Sequence, residues 1–309
     1  MLRSKAIEIN GCDQWVYIRL APKARKTLLF LHGGPGWADA PWAHFVCEKL
    51  WSHFNIVHWD QRGANRSPLT PETLSSLTID QLLSDGLALV DYLKNDLLLN
   101  EVILVGHSWG SFFGFLLTEM KPDLFSGLVT LGQFVDIPES DEASLNYCKS
   151  RAEEIGRAGL MKSLSELPRD FYLDVDLLFK QREILEELSG SFASPFARDA
   201  YKSITEGAPV EYQVSWEILG STSEMCARKL WCDLVKVSLK KHKVVKVPFL
   251  MMQGVHDHCT DTAIALKWFE DLEAPIGKLC VTFDRSGHWP QIEENEKFAY
   301  ILTSWCAAF

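Results

Sequence analysis

The sequence predicts an α/β protein in which a mostly parallel central sheet carries helices on both faces and one long helical segment is inserted. Three observations predict it. Short apolar runs alternate with segments of helical spacing, most of those runs contain β-branched residues, and from about Pro138 to Val245 the alternation stops. Runs that are apolar on both sides, without the polar alternation of a half-solvated strand, belong in a parallel sheet covered twice.

The chain opens differently. In "KAIEINGCDQWVYIRL" apolar and polar residues alternate on both sides of Asn10-Gly11, which predicts an antiparallel hairpin with a tight turn. The parallel strands follow at 27–31, 55–59, 102–105, 127–131, 248–253 and 279–283, bounded by Gly, Asp or Pro. Helical spacing occupies 42–53, 77–97, 111–121, 262–272 and 294–306. Between them, "ESDEASLNYCKSRAEEIGRAGLMKSLSELPRDFYLDVDLLFKQREILEELSG" reads as several amphipathic helices. The division expected is a core of residues 1–138 and 246–309 with a helical cap at 139–245.

Bulk properties narrow the function. The 309 residues suffice for a large core, and 47% hydrophobic with 23% charged residues is ordinary globular composition. A formal charge of −10 disfavours nucleic acid and anionic membrane surfaces as partners. The first twenty residues lack the apolar stretch of a signal peptide and no stretch reaches the length of a membrane helix, so a soluble, cytoplasmic protein is expected. Eight scattered cysteines without a CxxC pair predict buried, reduced thiols.

Chemistry concentrates at strand ends. "EVILVGHSWGSFFGFLL" (101–117) turns from strand to helix at Gly106-His107-Ser108-Trp109-Gly110. A serine on such a turn is strained and exposed, and small residues two before and two after it keep the neighbouring strand and helix clear. The N-terminal end of the following helix favours negative charge forming nearby. Such a pentapeptide also arises by chance as a plain connection, so its company matters. "LLFLHGGPGW" supplies a glycine loop after a strand, whose amides can face an oxygen unobstructed. With Trp109 N–H as the other donor, Gly34 N–H is expected to hold an oxyanion, Gly33 being the alternative. One such donor is typically worth about 2.7–4 kcal/mol of transition-state stabilisation.

Serine needs a base, and the base an orienting carboxylate. His288, in "FDRSGHWPQIEENEKF", follows the last strand and is the best placed of nine histidines; Asp257, in "PFLMMQGVHDHCTD", follows the preceding strand, with Asp261 as a weaker candidate. Residues 256–259 (His, Asp, His, Cys) also invite a metal reading, but adjacent ligands on an extended loop diverge and no second cluster has zinc-like spacing. No metal or other cofactor is expected. His44, His53 and His242 read as helix or surface residues, His58 as a strand residue, and His32 and His107 as packing residues beside the site. In "VHWDQRGANRSPL", Asp60 and Arg62 read as a buried charged pair steadying the glycine loop.

Taken in order, HGGPG, DQRGANRS, GHSWGS, Gly254-x-x-Asp257 and Ser286-Gly287-His288 resemble the proline iminopeptidase branch of the α/β-hydrolase fold, over about two thirds of the chain. The resemblance implies a catalytic triad Ser108, Asp257, His288 and a cap inserted where the helical segment lies. It also implies that a cap glutamate captures the substrate's free amine: "EYQVSWEILGSTS" places Trp216-Glu217 there, although a solvated helix glutamate would look the same. Phe134, in "LGQFVD", stands where that family has an aromatic pocket wall. The family's second cap acid has no counterpart in "STSEMCARKLWCDLVKVSLKKHKVVKV" unless Glu224 substitutes, and Asn65 stands where glycine is usual.

The expected substrate is a small molecule or short peptide with a free, small N-terminal residue, proline first. Trp37, Trp109, Trp289 and Phe134 would equally suit an esterase, lactonase or thioesterase taking a small apolar acyl group, and a receptor-like protein of the same fold is a third possibility. Epoxide hydrolase and haloalkane dehalogenase chemistry need an aspartate where Ser108 stands. Sequence leaves the oligomeric state open.

Overall fold

The computed structural model describes residues 2–309. Two antiparallel strands open it, β1 (Leu2–Ile9) and β2 (Cys12–Arg19), turning through Asn10 (φ 48°) and Gly11 (φ 74°). Both turn residues adopt the left-handed backbone that an Asn-Gly pair tolerates best. The chain then runs β3 (Lys26–Leu31), α1 (Ala40–Cys47), β4 (Asn55–Asp60), α2 (Pro71–Ser75) and α3 (Ile79–Asn95). Next come β5 (Glu101–His107), α4 (Trp109–Met120) and β6 (Gly127–Leu131).

Five helices separate β6 from the next strand: α5 (Ile137–Glu154), α6 (Ala158–Ser165), α7 (Val175–Glu187), α8 (Pro195–Glu206) and α9 (Trp216–Leu234). Side chains of Asp136, Asp174, Ser194 and Ser215 cap four of them by accepting amides of the first turn. An isolated bridge between Asp136 and Ser238, with Leu239 N–H donating to Val135 O (2.9 Å), ties the two ends of the segment together. The chain closes with β7 (Phe249–Gly254), α10 (Thr262–Asp271), β8 (Lys278–Phe283), α11 (Pro290–Glu293) and α12 (Asn295–Cys306).

The eight strands form one sheet in the order β1-β2-β4-β3-β5-β6-β7-β8, parallel from β4 onward. Alternation splits each parallel strand between two cores. Leu29, Leu31, Val102 and Leu104 face one, with Phe112 and Phe113 of α4, while Leu28, Phe30, Ile103 and Val105 face the other, with Phe298 and Leu302 of α12. That is why the strands read as continuous apolar runs. Register aligns Leu31 with Gly106, His107 with Leu131 and Gly254 with Phe283, so the strands that carry the motif loops end along one edge. Among the described residues no helix is long and apolar enough to cross a membrane. The eight cysteines are free; Cys232 is exposed and Cys259 and Cys280 are half-buried, against the expectation that all would be buried.

Candidate active site

Ser108 joins β5 to α4 with φ 54° and ψ −119°, a conformation costly for a residue with a β-carbon. Its glycine neighbours make the turn physically possible. A β-carbon on Gly106 would stand 2.2 Å from Gly110 O, and one on Gly110 would stand 1.9 Å from Leu31 O. Ser108 N–H donates to Leu131 O (2.9 Å), and Ser111 Oγ donates to Ser108 O (2.6 Å) while accepting Phe134 N–H (3.0 Å). The elbow is thereby tied to the end of β6, and the Ser108 side chain is left half-buried.

The glycine loop is fixed from beneath by His32. Gln61 N–H donates to His32 Nε2 (3.1 Å), so the proton is on Nδ1, which donates to Gly33 O (2.8 Å). Burial lowers the His32 pKa, consistent with a neutral ring. Trp109 Nε1 donates to Gln61 Oε1 (3.1 Å), so the glycine loop, the Asp60–Ser67 turn and the elbow share one network. Gly34 has φ 111°, and a β-carbon there would stand 2.6 Å from the amide nitrogens of Gly36 and Trp37. From above, Thr222 Oγ1 donates to Gly36 O (3.1 Å) and Ser223 Oγ to Pro35 O (3.0 Å), which seats α9 on this loop.

Arg62 does not pair with Asp60. It binds Asp85 of α3 through Nε (2.7 Å) and Nη2 (3.0 Å), a two-pronged contact between buried side chains. Asp60 instead accepts from Asn65 Nδ2 (2.7 Å) and Arg66 N–H (3.3 Å). Asn65 has φ 47°, so it keeps the glycine-like backbone and adds a hydrogen bond.

Asp257 and His288 meet at 2.8 Å through Oδ2 and Nδ1, both buried. Asp257 Oδ1 also accepts the amides of Cys259 (2.8 Å) and Thr260 (3.0 Å), and Oδ2 accepts Thr260 Oγ1 (2.8 Å) and Gln253 Nε2 (3.1 Å). Burial alone would raise its pKa, but His288 and these donors outweigh it and hold the carboxyl well below the usual range. Asp261 lies elsewhere: it caps α10, accepting the amides of Ala263 and Ile264. Of the other residues in 256–259, His256 binds Asp284 O, His258 stacks on Tyr147 and Cys259 Sγ faces Arg182, so the four side chains diverge.

Two residues fix His288 from behind, Gly132, which sequence reading missed, and His107, which it placed as a packing residue beside the site. Gly132 (φ 53°) leaves no room for a side chain, since a β-carbon would stand 2.7 Å from His288 Nδ1. His107 Nε2 donates to His288 O (2.8 Å) and its ring packs on Trp289 at 4.2 Å. Burial, then the neighbouring imidazole, push the His107 pKa down to about 3, so it is neutral and its donor role holds across ordinary pH. The signal for Gly132 is present in the glycine ending "LVTLG", but it acquires meaning only when two loops meet.

Ser108 and Gly34 line two adjoining cavities. One, of about 170 Å³, adds Trp109, Phe134 and Asp141; the other, of about 530 Å³, adds His107, His288, Trp289, Trp37 and Tyr201; Arg182 lines both. Glu217, expected to face the substrate, is exposed in the first turn of α9 and outside both. A carboxylate there suits the positive end of the helix, which explains its presence without a ligand. Trp216 lines the larger cavity, while Glu224 lies on the outer surface, paired with Arg228 at 2.9 Å. The carboxylate lining the smaller cavity is Asp141, which sequence reading missed. Its Oδ1 pairs with Arg182, Oδ2 has no hydrogen-bond partner, and burial, opposed by Arg182, pushes its pKa up to about 6.

Residues 26–295 match the family described as alpha/beta hydrolase fold. The Bacillus subtilis (strain 168) protein named probable aminopeptidase YbaC is 26% identical over 303 residues, covering 97% of this chain and 94% of its own. The proline iminopeptidase-related protein TTHA1809 from Thermus thermophilus superposes with a TM-score of 0.69 at 20% identity, covering 100% of this chain and 98% of its own. An esterase from Exiguobacterium antarcticum superposes at 0.63 with 17% identity, over 98% and 99% of the two chains. The chain belongs to the alpha/beta hydrolase fold family.

Proposed function

We propose that this alpha/beta hydrolase works through an acyl-enzyme on Ser108 and releases a small N-terminal residue, proline first, from a peptide or amide. The observation that carries the reading is the junction of the buried Asp257–His288 pair with the strained Ser108 elbow on one cavity. Likeness to a probable aminopeptidase over nearly the whole chain supports the substrate class.

In this reading Ser108 Oγ attacks the scissile carbonyl as His288 Nε2 takes its proton. Asp257, ionised and acceptor-only, holds Nδ1–H and steadies the imidazolium. The amides of Gly34 and Trp109 receive the oxyanion. Collapse breaks the bond to the leaving amine, which takes the proton from His288. A water then gives its proton to His288, attacks the acyl-serine, and the acid departs as Ser108 regains its proton. Residues 139–245 act as a cap over the core of 1–138 and 246–309, and the seating of α9 on the glycine loop supports that division.

The acyl residue sits in the smaller cavity against Phe134, with its amine on Asp141, whose unpartnered oxygen supports the role. A second reading, hydrolysis of small neutral acyl esters, is favoured by the same pair, since Arg182 already neutralises Asp141. Turnover of prolyl-naphthylamide against short p-nitrophenyl esters separates the two. Prolyl turnover should fall on the order of 10- to 100-fold in Asp141→Asn and stay within about twofold of the parent in Glu217→Gln. Rapid ester hydrolysis with no prolyl turnover would leave the second reading.

A further inference from the structure

The two cavities differ in a way that assigns the two halves of a substrate. The smaller contains Trp109 and Phe134; the larger contains His288 and is bordered by a run of rings. Trp216, 37% exposed at the rim, lies 6.3 Å from Trp37 and 6.0 Å from Tyr201. Trp37 Nε1 donates to Tyr201 Oη (3.1 Å), Tyr201 lies 4.9 Å from Trp289, and Trp289 lies 5.8 Å from His288. Phe192 completes the wall, 5.5 Å from Tyr201. The remaining wall carries charges of both signs, Glu186 and Glu187 against Arg182, Arg198 and Lys202.

Stereochemistry supplies the assignment. The proton taken from Ser108 is handed by His288 to the leaving atom, so the leaving group must stand on the side of the serine where His288 stands, and the acyl group on the other. We infer that the aromatic-walled cavity is the leaving-group site, and that it selects substrates whose departing amine or alcohol bears an aromatic or large apolar group. This rests on the serine-hydrolase reading, and it holds for either acyl specificity. A ring entering here packs edge-to-face or offset on its neighbours, contact that a small leaving group forfeits. No covalent step beyond the acyl transfer already described is involved.

The test fixes the acyl group and varies the leaving group in two series. One compares prolyl-phenylalaninamide with prolyl-glycinamide; the other compares benzyl with methyl acetate, whose alcohols have similar acidity. kcat/KM, which reports acylation, should favour the aromatic member by on the order of 10- to 100-fold. In Trp216→Ala that ratio should fall to about threefold or less, Trp216→Phe should restore most of it, and Phe196→Ala, 82% exposed on α8 and away from the cavity, should not move it. A parent ratio near one in both series, or a ratio unmoved by Trp216→Ala, overturns the assignment. Preference among esters with inert prolyl amides keeps the leaving-group site and removes the aminopeptidase reading. Absence of turnover in both series removes both.

Discussion

The Asp257 carboxylate spends both oxygens on five donors, and His288 is enclosed by Gly132 below and His107 behind. Such enclosure replaces rotamer freedom with a fixed ring plane, which is what the general-base role proposed for His288 requires. Gly132→Ala tests this at a single atom. The added carbon overlaps the His288 ring, and the backbone sits in the left-handed region, so both costs fall on one position. We expect kcat to drop about 100-fold, with the protein folded and less stable by on the order of 1 kcal/mol. Near-parental kcat, measured beside the thermal midpoint, would mean that the ring has room to move and that its enclosure is incidental.

Elements bring these residues together by register, and the loops between them by buried, hydrogen-bonded titratable groups. The Asp60 turn is the clearest case. Desolvation raises the Asp60 pKa to about 7 against an ordinary value of 3.8, despite the donors Arg66 N–H, Asn65 and Tyr17, and Asp39 adds to the rise. A carboxyl whose folded pKa is raised stabilises the fold fully below its unfolded value, and that stability is lost as pH rises to the folded value. Chain stability should therefore decline between about pH 4 and 7 through this group, and Asp60→Asn should remove that part of the decline in a denaturant series across pH. An unchanged slope in the variant would show that Asp60 is ionised in the fold.

Local signals make much of this scale legible in the sequence. Asn10-Gly11 announces a hairpin because both residues accept a left-handed backbone, and the parallel strands are visible because both of their faces are buried. The short helices α2 and α11 are not, since five and four residues carry no periodicity. Partners are the harder part. Sequence pairs Arg62 with a neighbour two residues away, but it bonds Asp85, 23 residues on, because α3 packs against that turn. Glu217 rests on a local resemblance that does not fix which face of α9 turns inward, and Asp141 gives no signal because its meaning lies in Arg182, 41 residues away.

Across the whole molecule, one sheet edge gathers the glycine loop, the elbow, Gly132 and the loops of Asp257 and His288, and the helical segment closes over them. Motif order predicts the gathering because the Ser, Asp, His sequence and the strand ends are fixed by this fold. The cavity walls are less legible, since they draw on helices α5, α7, α8 and α9, whose inward faces depend on packing. The central claim is that Ser108, activated by His288 and Asp257, carries the acyl group. Titrating the protein with a fluorophosphonate, while following prolyl-naphthylamide hydrolysis and mapping the modified peptide by mass, tests it most directly. Activity should vanish in proportion to one label per chain, located on Ser108, and Ser108→Ala should neither label nor turn over. Hydrolysis that survives full labelling, a label on another residue, or an active Ser108→Ala protein would contradict the claim.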